Sequence, residues 1–544
     1  MIRTSAAVQL GSLKRKLLTG ALAVTAFAAS SACISILGVD DLPAMRTDAS
    51  TSDAATSDAT DFACGGNADC FERYGENWIC RPSSQRCVNL VSTECPRVIG
   101  NSRDNNAVIF GSILPLMPPY VRAGQSMVHG IELGILDFEL AGRLPPVPGK
   151  FGLRPIVVVS CMEDWMDQSV SLRAARHLVD DVGVPAIIGP GSSPNLSKVA
   201  TDVAIPRGVL LVSPYSTSRS LTQLPDDGLV WRTAPSAAVM TNGLVALMPL
   251  VEQESKSHSA DTAINVAVVS AVGSYEQGLA NALIPRLTFN GAPASDHTNS
   301  KHYTRINHEY GSRDISATIA GLLSFKPHVA FVLAMPGEVQ RIITEVEKGW
   351  PSSLAYRPLY LLADENEKAT ISSGLAGLSR DSQKRILGTK VGGAGDTFAA
   401  FVSAYLARIH DGTLPDDSFA ANAYDALYNL AYSTVALGAE PLTGRGLARG
   451  FAKQISGSMI PAGPGNISAA LERLLAGETF DYDGASGPLD FDVATGEAPA
   501  NVPLWCVGSG DGSTVDVRTS SVHYSAKLGK LTGSLAEIRA TCNP

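Results

Sequence analysis

The sequence predicts an α/β protein of two lobes, each a doubly wound and mainly parallel sheet, preceded by a small disulfide-rich module. Three observations carry this expectation. Short β-branched runs, apolar nearly throughout, alternate with amphipathic helical stretches from Ala107 onward. Those runs fall into two groups separated by a helix-forming segment. Upstream, five cysteines crowd a short polar stretch that is too small to bury a core of its own.

With 544 residues the chain exceeds what one core usually serves, and its 45% hydrophobic and 17% charged shares are those of a globular protein. The net charge is −9, and beyond the extreme N-terminus no Lys/Arg block could neutralise a row of phosphates, which argues against nucleic acid as a partner.

Residues 1–32 carry Arg3, Lys14, Arg15 and Lys16, then the uncharged run LLTGALAVTAFAASSA, the layout of a secretory signal peptide. Ser30, Ser31, Ala32 and Cys33 resemble a bacterial lipobox, which implies lipidation of Cys33 and a membrane contact through that anchor. Ser30 stands where an aliphatic residue is usual, and simple cleavage after Ala32 is the alternative. No other stretch of roughly 18 residues stays apolar and uncharged, so no transmembrane helix is expected in the mature chain.

After Cys33, residues 33–62 read as the lipidated N-terminus and a solvated tether, with TDASTSDAATSDATD offering nothing to bury. Residues 63–95 form the Cys-rich module. With Cys33 set aside, eight of the nine cysteines remain: Cys64, Cys70, Cys80, Cys87, Cys95, Cys161, Cys506 and Cys542. In an exported chain an even number suggests disulfides. The module is expected to pair internally, Cys506 with Cys542 because both lie near the C-terminus, and Cys95 with Cys161 by elimination. A metal site is disfavoured because no His lies in the cluster.

The strand-like runs are AVIFGSIL, RPIVVVSC, PAIIGP and GVLLVSP before Trp231, then INVAVVS, HVAFVLA and PLYLLA after Ile264. Between them, Val128, Ile131, Ile135 and Phe138 mark one amphipathic helix, and Val170, Ala174, Leu178 and Val182 another. In such an architecture ligands sit beyond the carboxyl ends of the strands. There, GPGSSPN places Ser192 and Ser193 where hydroxyls and free backbone N–H groups converge at a helix start, a favourable place for an anion. SPYSTSRSLT places Tyr215, Ser216 and Thr217 on the neighbouring edge. In the second group, Tyr275 opens a helix, and Asp364 and Glu365 follow a strand.

These segments together resemble the type I periplasmic binding proteins, in particular the Leu/Ile/Val-binding branch of ABC-transporter receptors. The resemblance is carried by GSILPL, HGIELGILDFELAG, GVPAIIGPGSS, GVLLVSPYSTSRSLT, VWRTAPS and the closing FDYDGASGPLDFDVATGEAPANVPLWCV, and spans about Ala107 to Cys506. It implies that Ser192 or Ser193 and Thr217 hold a ligand carboxylate, and that Tyr275 with Asp364 or Glu365 completes the site around the ligand ammonium. Tyr215 stands where the family commonly has a small residue. It also implies a chain order in which residues 96–240 begin the first lobe, 241–390 the second, 391–475 return to the first and 476–544 finish the second.

The same residues also suit plainer roles: Ser192 and Ser193 as helix caps, Tyr275 as a packed aromatic, the acidic pair as a first-turn choice. No G-x-S-x-G elbow, P-loop, H-E-x-x-H helix or dinucleotide fingerprint is present, so no catalytic residue, metal or cofactor is assigned. The expectation is an exported lipoprotein of the periplasmic side or the outer membrane. It binds a small molecule for a permease or a sensory envelope partner. The alternative is a structural or adhesive envelope protein that keeps the fold without a working pocket.

Overall fold

In a computed structural model the described residues are 63–542 except 260, 273–274, 310, 364–367, 391–392, 394, 416–418 and 510–513. The expected signal peptide, lipidation site Cys33 and tether lie outside them. No helix among the described residues is long and apolar enough to cross a membrane.

The Cys-rich module is a helix, Asn67–Tyr74, on a hairpin of Trp78–Arg81 and Arg86–Asn89. Cys64–Cys80 and Cys70–Cys87 close it, and their sulfurs, with Tyr74 and Trp78 alongside, are nearly all the apolar matter it has. It is docked on the first lobe. The Arg81 guanidinium donates to the carbonyls of Asp180 and Asp181 at 2.6 and 3.1 Å, and Ile79 and Leu90 join the first-lobe core. Cys95 joins Cys161 inside a central strand, so the module's exit is stapled to the sheet.

The first lobe is built on six strands: β1 Arg97–Ile99, β2 Val108–Leu114, β3 Ile156–Met162, β4 Ala186–Ile188, β5 Leu210–Ser213 and β6 Val230–Arg232. Their spatial order is β1-β3-β2-β4-β5-β6, parallel except for the edge strand β1. Nearly every β2 to β6 residue is buried, as continuous apolar runs require of a sheet covered on both faces.

The second lobe carries an eight-stranded sheet. β7 Val266–Val272, β8 Tyr303–Glu309, β9 Val329–Leu333, β10 Leu359–Ala363 and β11 Ile386–Thr389 run parallel in the order β8-β7-β9-β10-β11. Three antiparallel strands extend it beyond β11, beginning with Val502–Val507. Cys506–Cys542 fastens the last helix to that added strand.

The chain leaves the first lobe after β6, returns after β11 and leaves again before Val502. The return is centred on the helix Ala420–Ala436, buried at every position but the last, against the helix Val121–Leu140. Close approach explains Gly130, where a Cβ would stand 2.2 Å from the Ala420 carbonyl oxygen. Across the same contact Asp137 accepts from the hydroxyls of Tyr424 and Tyr428 at 2.6 and 2.8 Å.

One expected placement is corrected. FDYDGASGPLDFD, assigned above to the second lobe, packs on the first. Fully buried Asp425, on the return helix, accepts from Tyr482 Oη at 2.8 Å, from the N–H groups of Ala485 and Ser486 at 2.9 and 2.7 Å, and from Ser486 Oγ at 2.6 Å. Phe491 packs edge to face on Trp231 with centroids 5.2 Å apart. A buried carboxylate needs donors, and this segment supplies four.

Burial raises the Asp425 carboxyl from 3.8 to about 6 despite those donors. The folded state therefore holds this proton more tightly than the unfolded chain does. The stabilisation is fully present below about pH 4 and is lost as pH rises through about 6, which corresponds to about 3 kcal/mol at most. In urea denaturation, the stability of the parent relative to Asp425→Asn should fall over that window; a pH-independent difference would contradict the assignment.

Candidate functional site

Loops after β3, β4 and β5 meet at the carboxyl edge of the first-lobe sheet. The Ser213 hydroxyl donates to the Pro190 carbonyl at 2.7 Å, and the Ser216 hydroxyl to the Gly191 carbonyl at 2.8 Å. The Ser218 N–H donates to Ser193 Oγ at 3.2 Å. Ser192, Ser193, Tyr215, Ser216 and Thr217 are thus brought together on one edge.

At its centre lies a residue the sequence reasoning passed over. Glu163, directly after β3, is fully buried, and its carboxylate accepts from Gly191 N–H at 2.6 Å, Ser192 N–H at 2.8 Å and the Asn195 side-chain amide at 2.8 Å. Burial pushes its carboxyl up, and the bonds from Ser192, Asn195 and Gly191 pull it back only in part. The expectation of free N–H groups at Ser192 is corrected. A carboxyl group already takes the N–H groups at this helix start, and it is the protein's own. Ser192 Oγ accepts from Asn195 N–H at 3.4 Å as a helix cap, which leaves Ser193 and Thr217 as the hydroxyls nearest to ligand duty.

Thr217 is 8% exposed, and its carbonyl accepts from Ala237 N–H at 2.8 Å. Its hydroxyl has no hydrogen-bond partner among the described residues. Tyr215 belongs to an aromatic wall. Its ring lies 5.6 Å from Trp165 and 4.5 Å from Phe419, and Tyr120 lies 3.9 Å from Trp165. Trp165 Nε1 is buried with no hydrogen-bond partner among the described residues. The signal for Glu163 and Trp165 was MEDW, an acid and an indole right after a buried strand. Phe419 comes from the return segment and had no local signal. An open pocket of about 400 Å³ adjoins Ser193 and Ser218, bounded also by Gln168, Ser197, Lys198 and Ser220.

On the second lobe, Tyr275 starts the helix Tyr275–Leu283, and its hydroxyl donates to Met240 Sδ at 3.1 Å. Met240 ends the turn Ala237–Met240, whose first N–H is held by Thr217. Thr217 and Tyr275 therefore grip opposite ends of one crossover turn. Asp364 and Glu365 lie outside the described residues.

Beside this turn, Arg232 is 2% exposed and pairs with Glu497, which also accepts from the Thr222 hydroxyl. The pair ties the first crossing to the third. A guanidinium buried so deeply needs its carboxylate, since burial alone pushes its pKa down.

The family model for periplasmic binding proteins matches residues 108–510, both lobes and the crossings between them. The chain belongs to the periplasmic binding protein family. Membership implies an exported, periplasmic protein. Among solved structures, a leucine-binding protein of Thermotoga maritima is similar at 20% identity and TM-score 0.50, covering 76% of this chain and 97% of its own. A branched-chain amino acid substrate-binding protein of Streptococcus pneumoniae, in complex with isoleucine, is similar at 15% identity and TM-score 0.50, covering 76% and 99%. A Rhodopseudomonas palustris (R. palustris) solute-binding protein with 4-hydroxybenzoate is similar at 16% identity and TM-score 0.52, covering 75% and 95%. These likenesses show the fold. No curated protein sequence matches the chain.

Replacing Glu163 by Ala leaves the Gly191 and Ser192 N–H groups buried without their acceptor and takes one of the two acceptors from the Asn195 amide, which keeps the Asp164 carbonyl, at a cost of about 3 kcal/mol. Urea denaturation of Glu163→Ala should show that loss; a variant as stable as the parent would mean the loop does not need this carboxylate.

Proposed function

We propose that this periplasmic binding protein is not an enzyme but a receptor that closes on a small polar ligand, an amino acid or similar zwitterion. The closed form is presented to an ABC-transporter permease or a sensory envelope partner. The observation that carries the proposal is the Thr217 hydroxyl, which has no hydrogen-bond partner among the described residues and stands beside Ser193 and the Tyr215 wall. A hydroxyl with no protein partner at the edge of a cleft is free to donate, and a ligand carboxylate supplies the acceptor. The wall favours a ligand whose other end is apolar or aromatic, in keeping with relatives solved with isoleucine and 4-hydroxybenzoate. Asp364 or Glu365 and Tyr275 are the second-lobe partners in this proposal.

Tyr215 packed between Trp165 and Phe419 is also what a structural protein with a filled cleft would show. A thermal-shift screen against amino acids, amides and aromatic acids separates the two. A stabilising ligand should lose ten- to a hundredfold in affinity in Thr217→Val, about 1.5 to 3 kcal/mol, while the unliganded melting temperature holds. Equal affinity in that variant places the site elsewhere, and a library with no stabilising member favours the structural reading.

The anchor is part of the same proposal. Metabolic labelling with palmitate should mark the parent and not Cys33→Ser; an unlabelled parent would make the protein a freely soluble receptor.

A further inference from the structure

We infer that the hairpin at residues 144–154, at the pole of the first lobe opposite the ligand edge, docks on an anionic lipid surface through Phe151 and Leu153. The base of the hairpin is fixed. Leu144 is fully buried and exchanges two backbone hydrogen bonds with Arg154, at 2.9 and 3.2 Å, and Arg154 Nε donates to the Pro145 carbonyl at 2.7 Å. Lys150 N–H bonds the Val147 carbonyl at 2.8 Å, and Gly149 and Gly152, both at positive φ, turn the chain. On this held frame Phe151 is 95% exposed and Leu153 51%. Large apolar side chains left exposed two residues apart on a hydrogen-bonded turn mark an interaction site.

Charge and position choose the occupant. Residues 141–154, AGRLPPVPGKFGLR, contain Arg143, Lys150 and Arg154 and no acid; Arg143 pairs with Glu139 and Asp104 outside the hairpin and Arg154 is held at its base, so Lys150 is the cation beside Phe151 that is open to a partner. Lys150 has no ion pair among the described residues. Aromatic and aliphatic groups beside cations are the chemistry of the headgroup boundary of an anionic bilayer.

The hairpin leads straight into β3, whose far end carries Glu163, so about 23 Å of strand separates it from the ligand edge. It also shares its pole with the start of the described chain. Asn106 abuts Gly152, neighbouring Asn105 accepts from Asn67 N–H at 2.7 Å, and Asn67 Nδ2 reaches the Ser102 and Asp104 carbonyls.

The proposal rests on the exported, envelope reading for its direction of approach only, and the test keeps the two apart. The mature chain from residue 33 is made with Cys33→Ser, so that no acyl chain contributes, and mixed with vesicles of phosphatidylethanolamine with or without phosphatidylglycerol. Expected results are a blue shift of the added Phe151→Trp emission on the anionic vesicles, quenching by brominated acyl chains, and roughly tenfold weaker sedimentation when Phe151→Ser and Leu153→Ser are combined. Lys150→Glu should weaken binding to the anionic vesicles and leave the neutral ones unchanged. All variants should melt with the parent, since the replaced side chains are exposed. Unchanged Trp emission at saturating lipid, or equal sedimentation of parent and double variant, overturns the proposal. So does capture by an envelope protein through Phe151 without any vesicle response.

Discussion

Around the buried carboxylate of Glu163 the whole first-lobe half of the site is arranged. It stands at the end of one strand and draws in the N–H groups of Gly191 and Ser192 from the next loop, while Asn195 reaches back from the helix beyond. Ser216 and Ser213 then tie the third loop to the second through the Gly191 and Pro190 carbonyls. An ion in so dry a place is costly unless every lone pair is used. That cost makes the loop geometry all-or-none, and Thr217 inherits its position from it.

A second constraint follows from the return of the chain. The helix Ala420–Ala436 is a central layer of the first lobe, although the second lobe is threaded before it. Asp425 on that helix gathers the closing segment, and Arg232 with Glu497 ties two of the crossings. The lobes therefore share connections at several points, and the crossover turn Ala237–Met240 is touched by Thr217 on one side and Tyr275 on the other. In the proposed receptor, a ligand that shifts either residue would act directly on the turn between the lobes, a physical route for coupling occupancy to closure.

Much of this was legible in the sequence. The seven apolar runs correspond to strands because burial on both faces demands uninterrupted apolar residues, and the cysteine groupings match the disulfides that form. What was missed had weaker local signals. β8, Tyr303–Glu309, is an edge strand with mostly half-exposed residues, so TRINHE carries no buried run. The closing segment was placed on the wrong lobe because its partner, Asp425, is remote in sequence and a buried acid inside an alanine-rich helix looks like a surface one. At the carboxyl edge of the first lobe, the serines and Thr217 lie on the loops where the sequence places them. Glu163 was not, because a charged residue after a strand ordinarily faces water, and only the fold shows that a second loop closes over it.

The central claim is that two lobes close on a solute, and small-angle X-ray scattering tests it most directly. Once a stabilising ligand is in hand, saturating it should reduce the radius of gyration and shift the scattering profile toward a more compact particle. A profile that does not change with the ligand demonstrably bound would contradict the account.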